Sequence, residues 1–194
     1  MKTRYVIAAL TATFVLFFCE FTWHMLLPFH ANAVLEFNQQ EKVEAVMKEN
    51  APKSGMYFVP NFHAEMQGKT GDELKAIQEK GMKAMEPGPV AFIAYRAEGS
   101  RSFAAGLTMQ FLRNFLAMLL MTTVVTNCPC KQWHKKILLV MTLVLFGFVV
   151  FSVPNWIWWG FSEAFVGVLI VSVLINWFIA GSVMIKIAGN PAEE

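Results

Sequence analysis

The sequence predicts an all-α membrane protein in which four transmembrane helices carry a small α/β extracytoplasmic insert between the first and the second. Three observations support this fold class. The 194 residues are 56% hydrophobic and only 15% charged, whereas about a quarter of the residues in soluble domains are charged. Nine of the 16 Lys and Arg and ten of the 14 Asp and Glu lie within residues 36–101. The rest of the chain contains apolar runs near the length of about 20 residues that crosses a bilayer.

Four apolar segments qualify as membrane spans. The first has MKTRY before it and ANA after it, as a signal peptide would, but its apolar stretch exceeds the roughly 7–15 residues of a signal peptide, so we interpret it as a retained anchor. The spans divide the chain into a first helix (1–27), an outer segment (28–102) and three further helices (103–194) with a loop at 128–136. The predicted spans are Tyr5–Leu27, Phe103–Asn127, Ile137–Val153 and Phe161–Ile187.

Positive charges beside the spans predict the orientation of the chain. Cytoplasmic loops of membrane proteins carry an excess of Lys and Arg, and four simple crossings place all the flanking basic residues on one side. We therefore expect both termini in the cytoplasm, residues 28–102 in the periplasm, and the chain in a bacterial inner (plasma) membrane. The flanking basic residues are Lys2, Arg4, Lys131, Lys135, Lys136 and Lys186.

Tryptophans mark the outer interface in this arrangement, because their amphipathic rings concentrate where a helix leaves the bilayer. Pro154 is expected to end the third helix, and PNWIWWG (154–160), which carries no charge, is expected to form a tight turn into the fourth. We interpret His30 as part of the exit from the first span rather than as a site. The predicted interface anchors are Trp23, Trp156, Trp158 and Trp159.

The outer segment alternates helix and strand patterns. NQQEKVEAVMKEN (38–50) has apolar residues at helical spacing. TGDELKAIQEKGMKAM (70–85) begins with Thr70 and has Glu73 three residues later, which is the spacing of a capping box. KSGMYFVPNF (53–62) and GPVAFIAYRAEG (88–99) predict two short strands. A two-stranded ribbon is marginally stable alone in water, so we expect this segment to rest on the bilayer, on the spans or on a partner.

An intramembrane polar cluster is the strongest candidate site. Glu20 and His24 lie one helical turn apart on the first span, Arg113 lies in the outer half of the second, and Glu163 opens the fourth. Ionisable residues at membrane depth usually face the bundle interior and find a partner. We predict that Glu20 pairs with Arg113, with His24 or Glu163 completing the cluster. The pattern favours a structural ion pair over a proton, quinone or other ligand site, and over unpaired side chains that reach the interface.

A C-P-C-x3-H group follows the second span. Cys128, Cys130 and His134 offer thiolates and an imidazole, which suit Cu(I) or zinc. Structural zinc sites, however, usually separate their cysteines by two or more residues and take four ligands. We interpret the cysteines as reduced thiols in a cytoplasmic turn and predict no metal site.

Two cofactor patterns are weaker still. Thioethers and imidazoles bind Cu(I), and His63 lies among the methionines of the outer segment, but methionine also fills irregular apolar surface and these residues are spread along the chain. His24 and His30 as haem ligands are disfavoured because the second, third and fourth spans contain no histidine, although His24 could reach a cofactor held by another subunit. We predict no cofactor. The methionines are Met47, Met56, Met66, Met82 and Met85.

Short motifs suggest a family. With W-H-M-L-L-P at 23–28, M-Y-F-V-P at 56–60 and the Trp-rich hairpin between the third and fourth spans, the chain resembles a group of small, uncharacterised bacterial inner-membrane proteins. That group has one anchor, an outer segment and three further spans, and it has no assigned activity. The resemblance therefore implies the topology and supplies no mechanism.

The sequence contains no Gly-rich phosphate loop, no H-E-x-x-H and no G-x-S-x-G. We therefore expect a non-catalytic accessory or scaffolding subunit of a larger inner-membrane complex, which can be an energy-transducing one. Its expected partners are membrane lipid and other subunits, with no nucleic acid because the basic residues form no patch. The alternative is a small membrane protein that handles a ligand or metal such as copper, haem or quinone. Glycines offer close helix contacts at Gly147, Gly160, Gly167 and Gly181.

Overall fold

The structure is a computed structural model that describes residues 3–189, so Lys2 and the last five residues lie outside the described part. It is mostly helical, and four of its helical segments are long and apolar enough to span a membrane, as the sequence predicts. The protein is therefore a multi-pass membrane protein. The four candidate spans are Thr3–Leu26, Phe103–Asn127, Trp133–Trp159 and Glu163–Ala188.

The described chain divides into two compact units. The first unit takes its residues from Met1–Leu35, Arg101–Trp156 and Phe161–Glu194, and it contains the long helices α1 (Thr3–Phe21), α6 (Phe103–Asn127), α7 (Trp133–Phe151) and α9 (Glu163–Ala188). The second unit comprises Glu36–Ser100 and Ile157–Gly160.

Helices α1 and α9 form the centre of the first unit. Helix α1 packs against α6 and α9, and α7 packs against α9. In the most apolar stretch of α9, 33% of the residues are buried inside the protein, whereas in the most apolar stretch of α6 only 11% are buried. Helix α6 therefore leaves most of its apolar surface open to lipid or to a partner. The core uses small side chains, which let helices approach closely: Ala8, Ala9 and Ala12 on α1 and Ala180 on α9 are fully buried.

The glycines expected to make close helix contacts behave differently from one another. A Cβ at Gly181 would lie 3.1 Å from Val140 Cγ1, so this glycine permits the packing of α9 on α7. Gly147 and Gly167 have open space around the corresponding position. Gly160 lies in the connection before α9, with φ +73°, rather than on a face of that helix. Among these four glycines only Gly181 makes the expected contact inside the chain.

Basic residues gather at one end of the first unit. Arg4 Nε donates to the carbonyl of Ile187 at 2.8 Å, so α1 and α9 run antiparallel, and Lys136 Nζ donates to the carbonyl of Gly189 at 3.1 Å. A cavity of about 430 Å³ at this end is lined by four basic side chains, those of Arg4, Lys131, Lys136 and Lys186.

The turn expected between the third and fourth spans is helical instead. Helix α7 ends at Phe151, and a short helix α8 (Val153–Trp159) begins after Ser152. Pro154 therefore lies in the first turn of α8, where its missing N–H needs no partner and its fixed φ is compatible with a helix. The prediction that Pro154 ends the third helix was therefore wrong, because α7 ends at Phe151 and Pro154 lies within α8 where a tight turn was expected.

The first span changes geometry near its end. Helix α1 continues into a π-helical segment (Thr22–Leu26), and a one-turn helix α2 (Phe29–Asn32) follows Pro28. The wider turn rotates the side chains of Trp23 and His24 relative to a regular α-helix. Pro28 precedes α2 as its N-cap residue with φ −79°.

The second unit contains the small sheet that the sequence predicts. Strands β1 (Gly55–Val59) and β2 (Ala91–Tyr95) pair antiparallel, with Tyr57 opposite Ile93. Helices α3 (Gln40–Asn50) and α5 (Gly71–Met85) occupy the two expected helical stretches, and a one-turn helix α4 (His63–Met66) was not predicted. Thr70 is the N-cap of α5, but its side chain makes no cap hydrogen bond, and the Glu73 side chain pairs with Lys69. The predicted capping box is therefore not formed.

Candidate functional site

The structure brings Glu20 and Arg113 together. Arg113 Nη2 lies 2.6 Å from Glu20 Oε1, while the other carboxylate oxygen accepts from Gln110 Nε2 at 2.7 Å and from Asn114 Nδ2 at 2.6 Å. Arg113 Nη2 also donates to Asn114 Oδ1 at 2.7 Å. We call Glu20, Gln110, Arg113 and Asn114 the carboxylate cluster. It joins the end of α1 to α6.

The carboxylate cluster satisfies its own polar atoms. The Glu20 side chain is 16% exposed and receives three donors, and Asn114 is fully buried with both ends of its amide paired. Arg113 is 61% exposed, so much of its guanidinium remains open to other partners. A buried carboxylate with three donors holds two helices in register.

Two histidines stack beside this cluster. The ring centroids of His24 and His30 lie 4.1 Å apart with 27° between the ring planes, and Trp23 meets His30 edge-on at 6.4 Å. His30, interpreted from the sequence as part of the helix exit, is buried there. Burial, together with the neighbouring His24, lowers the pKa of His30 below its ordinary value.

A cavity of about 300 Å³ lies between α1, α6 and α9, next to these groups. We call it the histidine cavity. It combines carboxylate, imidazole, amide, hydroxyl and indole groups with apolar side chains. Its lining consists of Glu20, Trp23, His24, His30, Gln110, Arg113, Leu169, Ser172, Val173, Asn176 and Trp177.

Two residues that line the histidine cavity each have one buried polar atom without a hydrogen-bond partner. Among the described residues, His30 Nε2 and Asn176 Oδ1 are the buried side-chain nitrogen and oxygen atoms left unpaired. His30 is 8% exposed and Asn176 4% exposed. Leaving such an atom without a partner costs about 1–3 kcal/mol. Both residues contribute to one cavity, so one bound group could serve both.

The remaining predicted residues, Glu163 of the cluster and the four interface tryptophans, lie at different places in the structure. Glu163 is exposed in the first turn of α9 and does not line the histidine cavity. Trp23 lines the cavity, whereas Trp156 and Trp158 are largely exposed. Trp159 belongs to the second unit, where it stacks on Phe92 with ring centroids 4.6 Å apart.

The cysteine group is not arranged as a metal site. Cys130 N donates to Cys128 Sγ at 3.4 Å, and the hydrogen bond between the two side chains lowers the pKa of Cys128 and raises that of Cys130. His134 is exposed in the first turn of α7. In residues 3–189, no three His, Cys, Asp or Glu side chains are grouped so that they could hold a metal ion.

The stacked geometry of His24 and His30 does not suit the two axial positions of one haem. Axial imidazoles direct their nitrogens at each other along one line through the iron, whereas these rings lie nearly parallel, one over the other. The arrangement therefore gives no support to a haem held within this chain.

Sequence reasoning missed three contributors to the site, Gln110, Ser172 and His30. Gln110 lies three and four residues before Arg113 and Asn114, and Ser172 lies four before Asn176. These i, i+3 and i, i+4 spacings of polar residues in apolar helices place each set on one helix face, and they are the signal that could have located two of the three residues. The burial of His30 depends on the turn at Pro28 and has no comparable signal.

No protein-family model matches this chain, and searches of curated proteins and of solved structures found no significant match. The resemblance to small four-span inner-membrane proteins therefore stays a prediction. Any function assigned to the chain must be argued from its own geometry.

Proposed function

We propose that this chain is a non-catalytic membrane protein that binds the polar head of a lipid-soluble ligand of the quinone or quinol type in the histidine cavity. The observation that supports the proposal is that two residues lining one cavity, His30 and Asn176, each have a buried, unpaired side-chain atom, Nε2 and Oδ1 respectively. Small-molecule sites combine an apolar enclosure with a few placed polar groups. A ligand hydroxyl or carbonyl would supply the partners that the protein itself does not.

The surroundings match an amphipathic ligand. The histidine cavity, at about 300 Å³, has the size of a small ligand pocket. A second cavity of about 210 Å³ shares Glu20, His24 and Gln110 with it, and Phe17, Phe21, Phe103 and Leu107 are among its other lining residues. The polar head would lie in the first cavity and part of the apolar tail in the second.

Titration with a short-chain quinone tests this proposal. Trp23 and Trp177 line the cavity, so a bound quinone quenches their fluorescence in the purified, detergent-solubilised chain. We expect saturable quenching, weakened about tenfold by loss of one buried hydrogen bond in the Asn176→Leu and His30→Leu variants. Asn127→Leu and His134→Leu are matched controls outside the cavity. Absence of saturation, or an equal effect in the controls, would mean that only water fills the site.

We also infer, as a second candidate, that the chain is an accessory subunit of a larger membrane complex. Large apolar side chains are exposed between the first span and α3: Val34 is 61%, Leu35 88% and Phe37 63% exposed. Helix α3 has no buried residue. Large apolar side chains exposed outside the membrane spans are typical of residues that another protein covers. Another membrane subunit would cover it.

Native mass spectrometry after gentle detergent extraction tests the accessory role. We expect a co-purifying subunit at fixed stoichiometry that is lost from the Leu35→Glu and Phe37→Glu variants. The Gln40→Glu variant, which adds a charge at an exposed polar position nearby, should retain it. A chain that always elutes alone contradicts this second candidate and leaves the ligand proposal standing.

The proposed location is a bacterial inner membrane, with both termini cytoplasmic and residues 28–102 periplasmic. The gathering of Arg4, Lys131, Lys136 and Lys186 at one end of the first unit supports this direction. An impermeant thiol reagent added to intact cells should leave Cys128 and Cys130 unlabelled until the membrane is opened. Labelling from outside would reverse the orientation.

A further inference from the structure

We propose that the second unit contains a Cu(I) site in a groove between α4 and α5, lined by His63, Met66, Met82 and Met85. These residues are spread over 23 positions of the sequence, which argues against a site when the sequence is considered alone. The structure places all four around one groove of about 400 Å³. The inference is independent of the ligand proposal, because the groove lies wholly in the other compact unit.

Each helix presents its donors on one face. His63 and Met66 are three residues apart on α4, and Met82 and Met85 are three apart on α5, so both pairs follow the spacing that brings helical side chains together. Asn61 Oδ1 accepts from the backbone N–H of His63 at 2.9 Å and sets the start of α4. The groove therefore receives an imidazole and a thioether from one side and two thioethers from the other.

Independent contacts hold the two helices together. Gly81 is buried against Phe62, where a Cβ would lie 3.2 Å from the ring. Lys80 Nζ binds Glu65 at 2.9 Å and lies 5.1 Å from the centroid of the Phe62 ring. These contacts join α4 to α5 without using the thioether sulfurs of Met66, Met82 and Met85.

The metal-ligating atoms of the groove, one imidazole nitrogen and three thioether sulfurs, determine which metal ion it prefers. Thioether sulfur is a soft, neutral ligand that suits Cu(I), whereas Zn²⁺, Ca²⁺ and Mg²⁺ favour thiolate, imidazole or oxygen ligands. No carboxylate is among the described residues that line the groove, and the nearby Glu65 is paired with Lys80. Three thioethers with one imidazole therefore favour a monovalent soft cation over the divalent ions.

Competition titration with a chromogenic Cu(I) chelator tests the site. The full chain in detergent should carry Cys19→Ser, Cys128→Ser and Cys130→Ser, because thiols would bind Cu(I) themselves. We expect a single Cu(I) per chain, bound at least about tenfold more weakly after Met66→Leu, Met82→Leu or Met85→Leu. Met47→Leu and Met56→Leu are the matched controls, since neither residue lines the groove.

Two further measurements test the metal selectivity and the ligand set of the proposed site. Excess Zn(II) should leave Cu(I) binding unchanged, and X-ray absorption of the loaded chain should show sulfur with one nitrogen neighbour. Met→Leu preserves volume and apolarity, so circular dichroism should report the same helix content in every variant. Equal weakening in groove and control variants, or loss of Cu(I) binding from the cysteine-free chain, would overturn the site.

Discussion

The carboxylate cluster and the His30–Asn176 pair lie beside the same cavity, but they differ in how far the protein satisfies them. Glu20 receives three side-chain donors, and the Asn114 amide is paired at both ends. His30 Nε2 and Asn176 Oδ1 are as deeply buried and have no partner among the described residues. One group of polar residues thus joins helices, and the other leaves hydrogen-bonding capacity unused.

The difference separates two uses of buried polarity. A fully paired network is stabilising and specifies how α1 and α6 meet. An unpaired buried atom lowers stability unless water, an ion or a ligand supplies the missing hydrogen bond. Asn114 and Asn176 make the comparison direct, because both have the same amide side chain. The amide of Asn114 is hydrogen-bonded at both ends, whereas the amide oxygen of Asn176 has no partner within residues 3–189.

The largest effect is expected from Glu20→Ala. This change removes the acceptor for three donors and leaves the buried Nδ2 of Asn114 without a partner, so we expect a loss of about 2 kcal/mol in the free energy of unfolding. The exposed Arg113 contributes little to this loss. Unfolding in mixed micelles measures it. The control Glu163→Ala, at an exposed helix start, should change stability by about 0.5 kcal/mol at most; equal losses would remove the distinction.

The two asparagines should respond with opposite signs to substitution by leucine. Asn114→Leu is expected to destabilise by about 2 kcal/mol because it breaks a satisfied network. Asn176→Leu removes an unpaired buried oxygen and should stabilise the ligand-free chain by up to about 1 kcal/mol. The same unfolding assay compares them. Destabilisation by both would show that Asn176 has a partner in solution.

Two glycines, Gly181 and Gly147, compare the effect of an added methyl group at a tightly packed helix contact and at an open position, with no polar group involved. Gly181→Ala places a methyl 3.1 Å from the fully buried Val140, and we expect a loss of about 1 kcal/mol from overpacking. Gly147→Ala meets nothing within 4 Å and should gain up to about 0.8 kcal/mol from helix propensity. Thermal unfolding measures the stability of both variants. A loss of stability in Gly147→Ala would mean that Gly147 packs against a neighbour that the structure does not show.

The smallest effect concerns pH. Burial lowers the pKa of His30 in the folded chain below the ordinary value of 6.5, so the unfolded chain binds the proton more readily. Stability is therefore fully present above about pH 6.5 and is lost as pH falls below it. The melting temperature should fall between pH 7.5 and pH 5, and less so in His30→Leu than in the control His134→Leu. Identical pH profiles in both variants would contradict a perturbed His30.

Much of the fold was predictable from composition and periodicity. The second span, predicted at about residues 103–127 from its apolar run, coincides with helix α6. The third span was harder. Proline predicts a helix end at Pro154, whereas α7 ends earlier, at Phe151, and Pro154 lies in the first turn of α8, a position that tolerates proline.

The candidate site was predictable only in part. Opposite charges at similar depth on two spans identified Glu20 and Arg113 as residues that the structure brings together. Gln110 and Ser172 lie three or four residues from other polar residues of the same helix, and this spacing predicts a shared helix face. No such spacing links the methionines of α4 to those of α5, because these helices bring together residues that are distant in sequence.

The sequence by itself determined that the chain has four helices long and apolar enough to span a membrane and a small mixed segment with a two-stranded sheet, since both properties follow from local apolar runs and periodicity. Tertiary structure alone decided which polar atoms are paired, that His30 is buried beside His24, and that three methionines and a histidine share a groove. Pairing and enclosure depend on how helices distant in sequence pack against one another, and no local pattern records that packing.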